Sequence, residues 1–516
     1  MFNRLQLKQV FHQLLVILGV LLLSRITKNW GFIFISIYGV ACCIDRKIGQ
    51  ALVVFLLISF LPMVNPFIMP RYGQFAMIAR LSSLLMALAL LASGVSRPGP
   101  HRLPVDILFV YLLLSSFTSL QGYAPLISEL KIVNFIFFLM SISIGTRNLH
   151  RNSQDILLLR NTFLAIIAFV VYGSLLTLPF PHIAYLTSMR GALVNYGLDY
   201  VYEAAAEKSG LLFCGSTVHS QFLGPMSACC LGWLLCDMWL VERRWNPLHV
   251  ALMWPIPIIA YMTRARVALF TLCVAFAVNL LLCLPRTRIS RRTRNRFHLM
   301  IALSLVTLLV AAIGSELKDK TISRWLRKTE DVSSDERTLG DALTGSRQEA
   351  IAENMADFRR NRLLGSGFQV SRAMVGKGSG SLFSAPIEKG LLPLMVLGES
   401  GLIGTTIFIV FLISFFSICH ARHYTATSAL FIVLLATNMA EATFFSPAGG
   451  GGVFWILLVV GGFTIDMAVV TGRQAASKVH YSPIPDAVTI SDEDERESIG
   501  PADSEPIVEM DIDTHV

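Results

Sequence analysis

The sequence is divided by recurring stretches of about 15–25 residues that are almost free of charge. Each is long enough for a helix to cross a hydrocarbon layer about 30 Å thick. Inside such a layer every peptide group must find its partner within its own segment, which selects helices over open strands. A membrane barrel needs short alternating segments instead, and none are seen. Composition agrees: 54% of the 516 residues are hydrophobic and 15% charged, with a mean hydropathy of +0.61. A soluble chain carries roughly 25% charged residues.

Candidate spans fall at 10–25, 30–44, 49–64, 73–95, 104–120, 130–146, 156–178, 217–241, 248–263, 267–284, 298–314, 392–420, 427–445 and 452–471. The expected fold is an all-α polytopic transmembrane bundle of about 12–14 spans over residues 1–471. The first run follows Arg4 and Lys8 but lacks a small-residue cleavage site, so it reads as a retained helix. The nine cysteines show no CxxC spacing and mostly lie in apolar runs, where they act as small hydrophobes.

Short basic loops orient the set. Asp45-Arg46-Lys47, Arg97 to Arg102, Arg147 to Arg151, Arg243-Arg244 and above all Arg286 to Arg296 fall on one side, taken as cytoplasmic. Both termini then lie in the cytoplasm, and the loops at 179–216 and 315–391 face outside. The latter is one large extracytoplasmic loop expected to contain short helices. The tail 472–516 has no apolar periodicity. From Asp486 onward it holds eleven acidic residues against one arginine; without residues 486–516 the net charge is +19 rather than +9. It reads as disordered and solvated, or alternatively as a docking tail.

Basic residues on the outer side run against the orienting rule and need a reason. Thr263-Arg264-Ala265-Arg266 stands at the mouth of the tenth span, offering two planar donors to phosphate oxygens. Snorkelling at the interface is the other reading. Arg190 and Arg80 are similar cases, while Lys131 beside Glu129 reads as an interface anchor. Within the large loop, Ser346 to Arg362 spaces Ala350, Ile351, Met355 and Phe358 near helical period. This predicts a short amphipathic helix at the membrane surface, ending in the turn Leu364-Gly365-Ser366-Gly367-Phe368. The stretch Gly376 to Ser381 lacks the spacing of a phosphate-binding loop. Glu388 and Glu399 bracket a re-entrant apolar segment and supply either a general base or partners for nearby arginines.

Taken in order, these pieces resemble the O-antigen ligase and O-antigen polymerase superfamily of bacterial envelope polysaccharide assembly. The matching segments are Gly215-Ser216-Thr217-Val218-His219-Ser220-Gln221-Phe222-Leu223-Gly224, Thr263 to Arg266, Ser346-Arg347 leading into Leu364 to Phe368, and Leu397 to Gly404. They cover about residues 200–465. The resemblance implies transfer or polymerisation of a polyprenyl-diphosphate-linked glycan onto a glycan or lipid acceptor, at the outer face of the inner membrane. It implies no cofactor, no metal and no nucleic-acid partner. Carried over, Arg264, Arg266, Arg347 and Arg190 are diphosphate-binding candidates, and Glu388 and Glu399 are catalytic candidates.

One departure stands out. The family's ligases carry a histidine shortly before the Gly-Leu-Ile-Gly segment, where this chain reads Ile387-Glu388-Lys389-Gly390. Either Glu388 serves as the base, or the chain is a polymerase or exopolysaccharide-assembly relative, or the activity has been lost. The rival classes are a flippase or other transporter, with charges at the midplane in broken helices, and a non-catalytic scaffold that works through its acidic tail.

Overall fold

A computed structural model of the full chain describes residues 4–28, 30–69, 75–93, 103–122, 125–149, 153–185, 212–243, 246–263, 265–283, 348–368, 391–439, 443–447 and 450–480. Among them there is no strand, and one isolated antiparallel bridge joins Val64 to Thr217. The helices are α1 (Arg4–Thr27), α2 (Trp30–Ile44), α3 (Ile48–Phe60), α4 (Phe75–Ser93), α5 (Asp106–Ser119), α6 (Pro125–Leu149), α7 (Ser153–Thr177) and the single turn α8 (Pro181–Ala184). After these come α9 (Ser220–Asp237), α10 (Pro247–Met253), α11 (Ile256–Met262), α12 (Arg266–Leu282), α13 (Gln348–Arg360), α14 (Leu392–Ala421), α15 (Thr425–Thr437), α16 (Gly450–Phe454) and α17 (Gly461–His480). Short π-helical turns follow α9 at Met238–Glu242 and α16 at Trp455–Val460.

Each candidate span from 10–25 to 267–284, and from 392–420 to 452–471, contains a helix, though 427–445 overruns the end of α15 at Thr437 and its last described residues, 443–445, are non-helical. The span at 298–314 lies outside the described residues, as do the basic loop 286–296 and the acidic tail beyond 480. Among the described residues, six helical segments are long and apolar enough to cross a membrane: Leu5–Thr27, Pro125–Leu149, Ser153–Thr177, Ser220–Glu242, Leu392–Ala421 and Gly450–Gly472. The other apolar helices are shorter, and α10 and α11 together make one apolar helical stretch, Pro247–Met262.

Burial sorts the helices by position. α3 and α9 are buried almost all round, which an amphipathic surface helix never is. α1 and α14 leave Phe11, Leu15, Leu22, Ile26, Ile409, Val410 and Ile413 exposed, the pattern of helices whose outer face meets lipid tails. Close approach rests on small residues. A Cβ on Gly145 would sit 2.7 Å from Leu52, and one on Gly232 would touch Ala275 and Leu430.

Tight turns such as Asp45–Lys47 and Arg422–Tyr424 make consecutive helices antiparallel, which gives the unit up to Thr471 two distinct ends. Among the described residues the end with these turns is the compact one. The opposite end carries the non-helical segments 61–69, 212–219, 361–368 and 443–447. At the compact end the Asp466 side chain caps α15 from another helix. Its carboxylate accepts the Ala426 and Thr427 amides at 2.9 Å each and the Thr427 hydroxyl at 2.8 Å. Those amides head a helix and have no acceptor within it.

Candidate functional site

At the irregular end the chain leaves helical geometry where Pro62 and Asn65 follow α3. Asn65 organises the crossing: its Nδ2 donates to the carbonyls of Ile183 (2.9 Å) and Gly215 (2.7 Å), and its Oδ1 accepts the Phe67 amide at 2.9 Å. The Asn65 amide bonds the Ser216 carbonyl, and the Val218 amide bonds the Met63 carbonyl. Gly215 takes a φ of +54°, in the left-handed region that favours glycine, and a side chain there would run into Ser174. His219 then starts α9 from an extended conformation, its Nδ1 accepting the Phe222 amide at 2.9 Å. The segment 215–224 is therefore a turn, a cap and the first turn of a buried helix.

That helix meets the second candidate motif directly. A Cβ on Gly224 would lie 2.7 Å from Thr263 Oγ1, 2.8 Å from Ala268 and 3.0 Å from Ala265, so the absent side chain admits Thr263 to Ala268 onto α9. Arg266 opens α12 and is half-buried. On the other side of α9, Phe222 lies across Phe454 with ring centres 5.3 Å apart. Arg264, Arg190, Arg347 and Glu388 lie outside the described residues.

The second grouping is built on a broken helix. α14 is interrupted at Gly401, which has φ 62° and ψ −162°. In an unbroken helix the amides of Leu402 and Ile403 would bond the carbonyls of Gly398 and Glu399. Here they donate instead to Arg362 (2.9 Å) and Leu363 (3.2 Å), while Gly398 and Glu399 accept from Ser366 and Gly367 at 3.0 Å each. Four bonds to a loop replace two within the helix, so no backbone group at the break goes without a partner. Gly365 makes the fit possible, with φ +76° and its α-carbon against the backbone of Glu399 and Ser400.

The same loop is tied on two further sides. Ser366 Oγ donates to Asp357 on α13 at 3.1 Å. The Phe368 amide bonds Ser119 Oγ at 3.0 Å, and Ser128 Oγ donates to the Phe368 carbonyl at 2.8 Å. α13 is the amphipathic helix expected at 346–362, but its most buried residues are polar: Asn354 and Asp357, each 2% exposed, while Ile351, Met355 and Phe358 are half-buried. The helix docks polar side first onto the break in α14.

Glu399 is 1% exposed and sits beside Tyr111 and Ser400. Tyr111 stacks on Phe445 at 5.4 Å, and Phe445 also meets Phe368 at 5.3 Å. Because Phe444, next in sequence, accepts the Trp455 indole N–H at 2.7 Å, the segment 443–447 links the broken helix to the Phe222–Phe454 side. Of the two catalytic candidates, the described one points its backbone at the loop and keeps its carboxyl inside the protein.

Sequence reasoning missed a buried ionic cluster. Near the compact end Arg160 on α7 meets Asp237 on α9 through Nε and Nη2, at 2.7 and 2.8 Å, and also bonds Glu242. His249 Nε2 contacts the same Asp237 at 2.7 Å. Gln6 on α1 donates to Glu242 and accepts from Asn246. The π-helical turn at Met238–Glu242 brings the second carboxylate round to Arg160. An arginine and an aspartate each inside an apolar run were the available signal.

No family model, curated protein or solved structure matches the chain. Among the described residues no group of three or more His, Cys, Asp or Glu side chains is placed to hold a metal ion.

Proposed function

We propose that the protein is an integral membrane glycosyltransferase of surface-polysaccharide assembly, which transfers or polymerises a polyprenyl-diphosphate-linked glycan at the outer face of the inner membrane. Both termini are then cytoplasmic, and the irregular end of the bundle faces outside. What supports the reading is the pairwise packing of distant segments at that one end: 215–224 against 263–266, and 362–368 against 398–403. An enzyme that works at a membrane face needs its non-helical backbone gathered there.

In the proposed reaction an acceptor hydroxyl attacks the anomeric carbon, its proton passes to a carboxylate, and the bond to the diphosphate breaks with inversion. Arg264, Arg266, Arg347 and Arg190 hold the charge that develops on the leaving diphosphate. The burial of Glu399 gives the acceptor side to Glu388 and leaves Glu399 acting from within the break.

A transporter of lipid-linked oligosaccharide is the second reading. The observation favouring it is the discontinuous helix with a buried carboxylate next to the break, a device of transporters. Incubating the purified protein with a polyprenyl-diphosphate oligosaccharide separates the two. Longer lipid-linked chains or a glycosylated acceptor, both lost in Arg266→Ala, support the enzyme. Movement of the lipid-linked sugar across proteoliposomes without any new glycosidic bond supports transport and overturns the enzyme.

A further inference from the structure

α13 buries the polar side that a helix on a soluble protein would show to water. Asn354 and Asp357 face inward and Glu353 is half-buried, whereas Ala352, Ala356, Arg359, Arg360, Arg362 and Leu363 are exposed. The exposed residues of 352–363 therefore include three arginines and no carboxylate. Ala352, Ala356 and Arg359 recur at i, i+4 and i+7, one stripe of the helix. That stripe runs on into the lipid-facing side of α14. The Leu402 and Ile403 amides bond the Arg362 and Leu363 carbonyls, so exposed Leu363 adjoins exposed Leu402 and Ile403. Thr406, Ile409, Val410 and Ile413 extend the same exposed side of α14. Residues 402–421 make about 20 residues of helix, roughly 30 Å, which is the thickness of a hydrocarbon core. Exposed His420, Arg422 and His423 mark the far boundary. Leu402 and Ile403 thus stand at the near edge of the hydrocarbon. Arg362, and Arg359 one turn before it, stand at the depth of lipid phosphates.

We propose that Arg359 and Arg362 bind the phosphate of an anionic phospholipid whose acyl chains lie along Leu363, Leu402 and Ile403. Guanidinium forks match phosphate oxygens in shape and charge. A surface with cations and no anion favours a net-negative headgroup over a zwitterionic one. Arg362 serves twice: its carbonyl closes the break in α14, and its side chain holds the lipid. A bound lipid therefore keeps the loop seated on the break. The site requires the membrane-spanning bundle alone and is independent of the reaction carried out at the irregular end.

The test uses the full-length chain in phosphatidylcholine liposomes with a trace of photoreactive phospholipid, its headgroup either phosphatidylglycerol or phosphatidylcholine. Peptide mapping after illumination locates the adducts at 363 and 402–403. Labelling at 409–413, deeper on the same side of α14, is the internal standard. The phosphatidylglycerol probe should label 363 and 402–403 in excess over the phosphatidylcholine probe, by about fivefold for each arginine engaged. Arg359→Gln combined with Arg362→Gln should remove the excess and leave 409–413 unchanged, since the backbone bond from residue 362 survives the substitution. The comparison of probes on the wild-type chain needs no variant to fold. Equal labelling by the two probes, or an excess that persists in the double variant, would overturn the site. Loss of the excess to inorganic phosphate at constant ionic strength would assign the arginines to a free anion and overturn the lipid.

Discussion

Arg160 and Asp237 meet as a parallel two-bond pair inside the bundle, Nε to Oδ1 at 2.7 Å and Nη2 to Oδ2 at 2.8 Å. The pair joins α7 to α9, and Glu242 and His249 complete it from the π-helical turn and from α10. Buried charges of this kind hold a structure by needing each other. Removing one partner strands the other in a medium that cannot solvate it.

Asp237→Asn and Arg160→Gln should therefore each destabilise the protein by about 3–5 kcal/mol. Arg160→Gln combined with Asp237→Asn should be less damaging than the two single losses added together. Thermal unfolding in detergent across the four members of this double-mutant cycle provides the check, and simple additivity would remove the pair's special status.

Gly401 and Gly365 each hold a left-handed backbone against another backbone. Gly401→Ala should cost about 1–2 kcal/mol from φ alone. The collision is additional, because the new methyl would sit 2.7 Å from the Leu364 nitrogen. The expected result is a loop that leaves α14: amide exchange at Leu402, Ile403, Ser366 and Gly367 should quicken together. Faster exchange at only one of the two segments would mean that they do not depend on each other.

Asp466→Ala should uncap α15 from a distance. Loss of a charged acceptor for two amides and a hydroxyl is expected to lower stability by about 2–3 kcal/mol. Asp466→Asn, which keeps an acceptor oxygen, should lose less. Unfolding midpoints rank the two variants, and exchange at Ala426 and Thr427 locates the effect.

The apolar runs made the helices legible because span length and charge depletion are local properties of the chain. The amphipathic helix at 348–360 was legible for the same reason, since its apolar residues recur at helical period. Which face it buries was not. Asn354 and Asp357 are drawn inward by the break in α14, a partner some forty residues further along the chain. The glycines of Leu364 to Phe368 marked a turn, but its exchange of hydrogen bonds with 398–403 is a tertiary event that no spacing encodes. Arg160 and Asp237 were hidden differently: they lie 77 residues apart, each alone in an apolar stretch, and no spacing in the sequence joins them.

The break at Gly401 also bears on how the protein is made. Residues 362–368 leave the ribosome before residues 398–403, so the groups that replace the missing turn already exist when α14 reaches the bilayer. An α14 inserted alone can satisfy the Leu402 and Ile403 amides only by closing into the unbroken helix, with the Gly398 and Glu399 carbonyls as acceptors. The break is stable only with the preceding segment in place. The loop is in this respect a chaperone in cis, built into the order of the chain, for the helix that follows it.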